Sequence, residues 1–98
     1  MGISYKVQEY GGTVVASGER YLTATMVEAL DPVVYPMLGH ICPYDDTMFN
    51  SWQVHTLIKE LHHIPDSHPL DPTIREDLRA LCDAVLAKPH RQLWFIGD

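Results

Sequence analysis

The stretch TMFNSWQVHTLIKELHHI, residues 47–64, decides how the chain is read. At about 100° per residue, Val54, Leu57, Ile58, Leu61 and Ile64 gather on one face together with Asn50, which predicts an amphipathic helix over 47–64. Its own domain would bury that face. Trp52 and Met48 project the opposite way, beside His55, Lys59 and His63, where a small monomer ordinarily places solvated side chains. A large aromatic there calls for contact with a second layer of the fold or with another protein.

Before this helix, 41–46 reads as a loop in which Asp45, Asp46 or Thr47 is placed to cap the helix and meet the positive end of its dipole. After it, 62–70 contains two prolines and serves as a connector. Asp71-Pro72 has the form of an N-cap followed by proline at the first helical position. From there Ile74, Leu78, Leu81, Cys82 and Val85 fall on one face, with Asp71/Arg75 and Arg79/Asp83 at i,i+4 outside it. Pro89 stops this second main helix.

At the N-terminus Ile3, Tyr5 and Val7 alternate with Ser4, Lys6 and Gln8, the period of a half-buried strand. Gly11-Gly12 supplies a turn that tolerates positive φ, and the β-rich 13–17 completes a hairpin that Gly18 closes. Thr23 caps a short helix to about residue 30, and Asp31-Pro32 starts a further irregular turn to Leu38, ended by Gly39. The chain finishes with Gln92-Leu93-Trp94-Phe95-Ile96, whose four successive apolar residues predict a strand covered on both faces. It must pair back with the hairpin. The expected fold is a single α+β domain over 1–98, a small, mainly antiparallel sheet packed by two main helices and a short helical segment.

Composition narrows the function. An apolar content of 46% with 20% charged residues is that of a globular chain. Without a long apolar run or a signal-peptide layout, the expectation is a soluble cytoplasmic protein. Thirteen Asp and Glu against seven Lys and Arg give a net charge of −6, which disfavours nucleic acid and anionic membrane as partners. No Lys or Arg occurs between Arg20 and Lys59, while Glu28, Asp31, Asp45 and Asp46 lie in that interval. Sharing one surface, those acids would attract a basic protein.

Residues with chemical potential do not form a recognisable apparatus. Six histidines include His62, His63 and His68 near Asp66, and His40 one residue from Cys42, but the spacing fits no closed tetrahedral set. Surface histidines are expected, with neither metal nor cofactor. Cys42-Pro43-Tyr44 before a helix resembles the start of the glutaredoxin motif, yet Asp45 stands where the second cysteine belongs. Cys42 and Cys82 are expected to be reduced thiols. No nucleophile has a histidine in a known arrangement and no glycine-rich phosphate loop is present, so catalysis is not expected.

The segment 44–52 supports two readings. In one, Phe49, Trp52 and Met48 pack beneath the 21–38 region as a minor core. In the other, Tyr44, Asp45, Asp46, Met48, Trp52 and His55 form a partner-binding surface of aromatic anchors with charge around them. Tyr44-Asp45-Asp46-Thr47-Met48-Phe49-Asn50, followed by Gln53 and Glu60-Leu61, together with the terminal Phe95-Ile96-Gly97-Asp98, resembles a group of small bacterial proteins. Some of these look like immunity proteins of polymorphic toxin systems. The resemblance implies an inhibitor that binds a toxin domain stoichiometrically, and carries no site residues with it. The alternative is a homodimeric scaffold or regulatory subunit of an enzyme complex, with Trp52 and Met48 buried against a symmetry mate. A small metal- or thiol-dependent enzyme is the third class.

Overall fold

A computed structural model of the chain describes residues 2–97. Strand β1 (Ser4–Glu9) turns through Gly12, at φ +97°, into β2 (Val14–Ser17), and the pair is antiparallel with a bulge between Val7 and Gln8. Gly18 then passes so close to Tyr5 that a Cβ there would stand 2.2 Å from its ring. Thr23 accepts from the Met26 N–H at 3.2 Å and caps α1, which runs only over Ala24–Glu28. Asp31 receives the Val33 N–H on its side chain and the Val34 and Tyr35 N–H groups on its carbonyl. That makes an isolated turn rather than a helix. A 3-10 turn over Leu38–His40 follows.

The helix expected over 47–64 is two elements. Thr47–Phe49 forms strand β3, and helix α2 covers Ser51–His63. The break lies at Asn50, whose side chain accepts the Gln53 N–H at 2.9 Å while the Gln53 side chain accepts the Asn50 N–H at 2.9 Å. This reciprocal capping box starts the helix four residues late, at Ser51, because an Asn with Gln at the third helical position satisfies two otherwise orphaned donors. Asn50 is therefore a cap and not a core residue. Asp45, Asp46 and Thr47 do not cap: Asp45 accepts the Asp46 N–H, and the Thr47 hydroxyl accepts the Cys42 N–H at 3.0 Å.

Helix α3 (Pro72–Ala87) begins as expected on Asp71, which accepts the Thr73 N–H at 2.8 Å. The Thr73 hydroxyl adds a second bond that, with the first, lowers the Asp71 carboxyl from its ordinary range. Of the two expected i,i+4 pairs, Arg79–Asp83 forms at 3.1 Å, whereas Arg75 turns instead to Asp66 at 3.2 Å. Strand β4 (Arg91–Ile96) lies between β1 and β3, so the sheet has the antiparallel order β2-β1-β4-β3. The terminal strand thus pairs with the hairpin over six residues, from Ser4↔Ile96 to Glu9↔Arg91.

Helices α2 and α3 contribute Val54, Leu57, Leu61, Ile74, Leu78, Leu81 and Val85 to a core shared with Tyr5, Val7, Phe49, Leu93 and Phe95 of the sheet. Burial alternates along the central strands. Leu93 and Phe95 are fully covered, while Gln92, Trp94 and Ile96 are half-buried. The expectation of cover on both faces is corrected here: the two main helices lie against one face, and among the described residues no helix packs on the half-buried face that bears Trp94.

A buried carboxylate ties the irregular 30–41 segment to this frame. Glu60 is 6% exposed; its Oε1 accepts the Leu38 N–H at 2.9 Å, and its two oxygens accept the Met37 N–H at 3.1 and 2.9 Å. His68 makes a second tie, donating from Nε2 to the Ala29 carbonyl at 3.0 Å and accepting the Leu70 N–H on Nδ1 at 2.9 Å.

Candidate functional site

Loop 42–46 is held at both sides. Its backbone lies against Gly97, where a Cβ would stand 2.4 Å from the Asp45 nitrogen and oxygen. Ile41 is buried before it and β3 pairs with β4 after it. Tyr44, Asp45 and Asp46 consequently project into solvent from a fixed backbone, Tyr44 at 72% exposure. Trp52, in the first turn of α2, is 85% exposed, and His55, one turn on, is exposed beside it.

The minor core expected from Phe49, Trp52 and Met48 does not form as a group. Phe49 alone is buried, edge-on to Phe95 with ring centroids 5.9 Å apart. Met48 is also separated from Trp52, since it belongs to β3 and not to the helix. Its register partner is Trp94, so the two side chains share the helix-free face of the sheet. Of the six sequence-chosen residues, the structure brings Tyr44, Asp45 and Asp46 together on one loop, places Trp52 and His55 on one helix stripe, and puts Met48 on another surface.

Trp94 is the residue that sequence reasoning did not single out for this surface. Its indole N–H donates to Gln92 Oε1 at 3.3 Å, on the same face of β4. The alternation of Gln92, Trp94 and Ile96 with Leu93 and Phe95 was the available signal, masked by the apolar run. Across the sheet one row reads Ser17, Lys6, Trp94, Met48 from β2 to β3.

Four of the six histidines are engaged with backbone or with arginine: besides His68, His40 and His63 donate from Nδ1 to the carbonyls of Pro36 and Lys59, and Arg79 bonds His62 at 3.0 Å. Among the described residues no three metal-ligating side chains converge. Cys42 and Cys82 are free thiols; burial pushes Cys82 up to about 12, and Cys42 precedes a strand instead of a helix. The carboxylate of Asp77 accepts the buried Tyr5 hydroxyl at 2.7 Å and the Glu19 and Arg20 N–H groups at 2.8 and 3.2 Å. Burial, and then that bond, push the Tyr5 hydroxyl well above its ordinary value of 10.

An open cleft of about 360 Å³ lies between the end of α2 and the start of α3, lined by Leu61, His62, Pro72, Arg75 and Arg79 together with Asp66 and Glu76. Arg75 donates to the Ile64 carbonyl at 2.9 Å and to Asp66, and Arg79 to Asp83. The guanidinium groups are thus committed to the protein, and the acids offset their charge. Among the described residues no helix is long and apolar enough to cross a membrane. Compared with protein-family models, curated proteins and solved structures, the chain matches none.

Proposed function

We propose that this protein is a non-catalytic binding protein that neutralises a basic protein partner, a bacterial toxin domain, by direct stoichiometric contact in the cytoplasm. The observation that carries the reading is Trp52, 85% exposed at the start of α2 and eight residues or fewer from the exposed Tyr44, Asp45 and Asp46. A solvated indole at the start of α2 and an exposed carboxylate pair on the loop before β3 supply the residue types of an interface anchor and an acidic margin. The absence of Lys and Arg from 21–58 leaves that margin without an intrinsic counter-charge from this interval. Such a surface steers a cationic partner and speeds its association.

The test is titration against the C-terminal domain of a secreted protein encoded immediately upstream. A 1:1 complex is expected, with Trp52→Ala weakening it by about 2 kcal/mol, roughly 30-fold. Charge reversal at Asp45 and Asp46 slows association and lowers its salt dependence. Because Asn50 and not an aspartate caps α2, these variants keep the parent melting curve. A Trp52→Ala protein that binds within twofold of the parent removes Trp52 from the interface.

A further inference from the structure

We propose that residues 23–41 form a lobe that protonation of His68 releases from the rest of the domain. Among the described residues, the main-chain hydrogen bonds of 23–41 all close within it, from the Val27 N–H on the Thr23 carbonyl to the Ile41 N–H on the Leu38 carbonyl. Two side chains outside the segment bond to it: Glu60, which accepts the Met37 and Leu38 N–H groups, and His68, which donates to the Ala29 carbonyl. The remaining attachment is apolar, through Val27, Leu30, Tyr35, Leu38 and Ile41. Both polar ties are titratable groups.

His68 holds its tie in one protonation state. The Leu70 N–H donates to Nδ1 at 2.9 Å, so Nδ1 carries no proton, and Nε2, 3.0 Å from the Ala29 carbonyl, carries the single one. A second proton, on Nδ1, would face the Leu70 N–H and set two donors against each other. Leu70 is fully buried at the entry to α3 and keeps its place, whereas the imidazole is half-buried, edge-on to Tyr35 with ring centroids 6.1 Å apart. The ring is therefore what moves, and Nε2 leaves the Ala29 carbonyl with it. Proton uptake accompanies release, so acid favours the open lobe and neutral pH the closed one.

The charged and titratable groups on the segments around this ring are Glu28 on α1, Asp31 and Tyr35 on the turn, His62 and His63 on α2, Asp66 on the connector, and Asp71 and Arg75 at the start of α3. The four carboxylates are exposed and none bonds the imidazole; the Leu70 N–H does. The other engaged histidines do not work in this way. His40 and His63 donate from Nδ1 to carbonyls, a bond that a charged imidazole keeps. His62 bonds Arg79 but is exposed, so its ring can leave without stranding a buried group. Tyr44, Asp45, Asp46 and Trp52 lie outside 23–41, and this inference does not rest on the proposed function.

Amide hydrogen exchange of the full chain, read by NMR and corrected for intrinsic rates, tests it at about pH 7.5 and about pH 5.5, which bracket the proton uptake of an ordinary histidine. From the higher to the lower pH, protection of the Leu30, Tyr35 and Leu70 amides should fall about fivefold or more relative to that of Leu81 in α3. Long-range proton–nitrogen spectra at the higher pH should show His68 with its proton on Nε2. His68→Asn supplies the control, because an Asn side chain accepts the N–H two residues on and does not titrate. It loses the tie to Ala29, so its lobe should be less protected at both pH values, by an amount that does not depend on pH. Glu60 is present in both proteins, so the comparison separates its titration from that of His68. Parent protection ratios that agree within roughly twofold at the two pH values overturn the proposal. So does a His68→Asn protein that repeats the parent's fall, or a His68 with its proton on Nδ1.

Discussion

Replacing Glu60 tests how the fold holds its least regular part. This carboxylate, 6% exposed, satisfies the Met37 and Leu38 N–H groups at the entry to the 3-10 turn. Leu38 is fully buried, and Tyr35 and Ile41 on either side are also in the core. Glu60→Ala strands both donors, at about 1–3 kcal/mol each. Relief of the buried charge returns part of that. The net loss expected is about 2–4 kcal/mol, or roughly 10–25 °C in melting temperature for a domain of this size. Glu60→Gln keeps one acceptor oxygen but turns an amide toward one of the donors, and should cost about half as much. Urea and thermal melts measure the total, while hydrogen exchange at Met37 and Leu38 should accelerate beyond the global effect. A Glu60→Ala protein within about 0.5 kcal/mol of the parent, with both amides still protected, would refute the claim that this carboxylate secures the segment.

Alkaline pH should destabilise the domain. In the unfolded chain the Cys82 thiol ionises near 9.0, whereas burial holds its proton in the folded state to about 12. The unfolded state therefore loses that proton first, and stability falls by about 1.4 kcal/mol per pH unit above 9. Tyr5 adds a loss of the same sign above 10, its folded value being raised by burial and by Asp77. Cys82→Ala should flatten the pH 9–10 limb in urea melts; an unchanged slope would show that the thiol is not the source. Deleting 92–98 should abolish the cooperative melt, because β4 lies between β1 and β3 and pairs with both. A truncated chain that melts near the parent would exclude the β2-β1-β4-β3 order.

The elements legible in the sequence were those whose signals are local. Ile74, Leu78, Leu81, Cys82 and Val85 are all buried on α3, and Asp71-Pro72 starts it. The hairpin and the terminal strand follow from alternation and the Gly11-Gly12 turn. Strand β3 was not legible in that way, because three residues satisfy a helical and an extended period equally well and only pairing with β4 decides between them. Asn50 and Gln53 carried the capping-box spacing, but the angular phase of Asn50 matched the core face and hid it. Glu60 was missed for a related reason. Helical phase placed a carboxylate between Leu57 and Leu61 on the buried side, and its partners are backbone groups more than twenty residues away.

The missed strand changes the functional argument as well as the fold. On one continuous helix, Met48 and Trp52 would share a face and form one surface. The passage from extended to helical backbone at Asn50 instead leaves Met48 with Trp94 on the sheet and Trp52 with His55 on α2. The surface proposed to meet a cationic partner therefore rests on Tyr44, Asp45, Asp46 and Trp52 without Met48. Any such binding should weaken as salt rises, because the attraction it depends on is screened, and an affinity that does not change between low and high salt would remove the acidic loop from the argument.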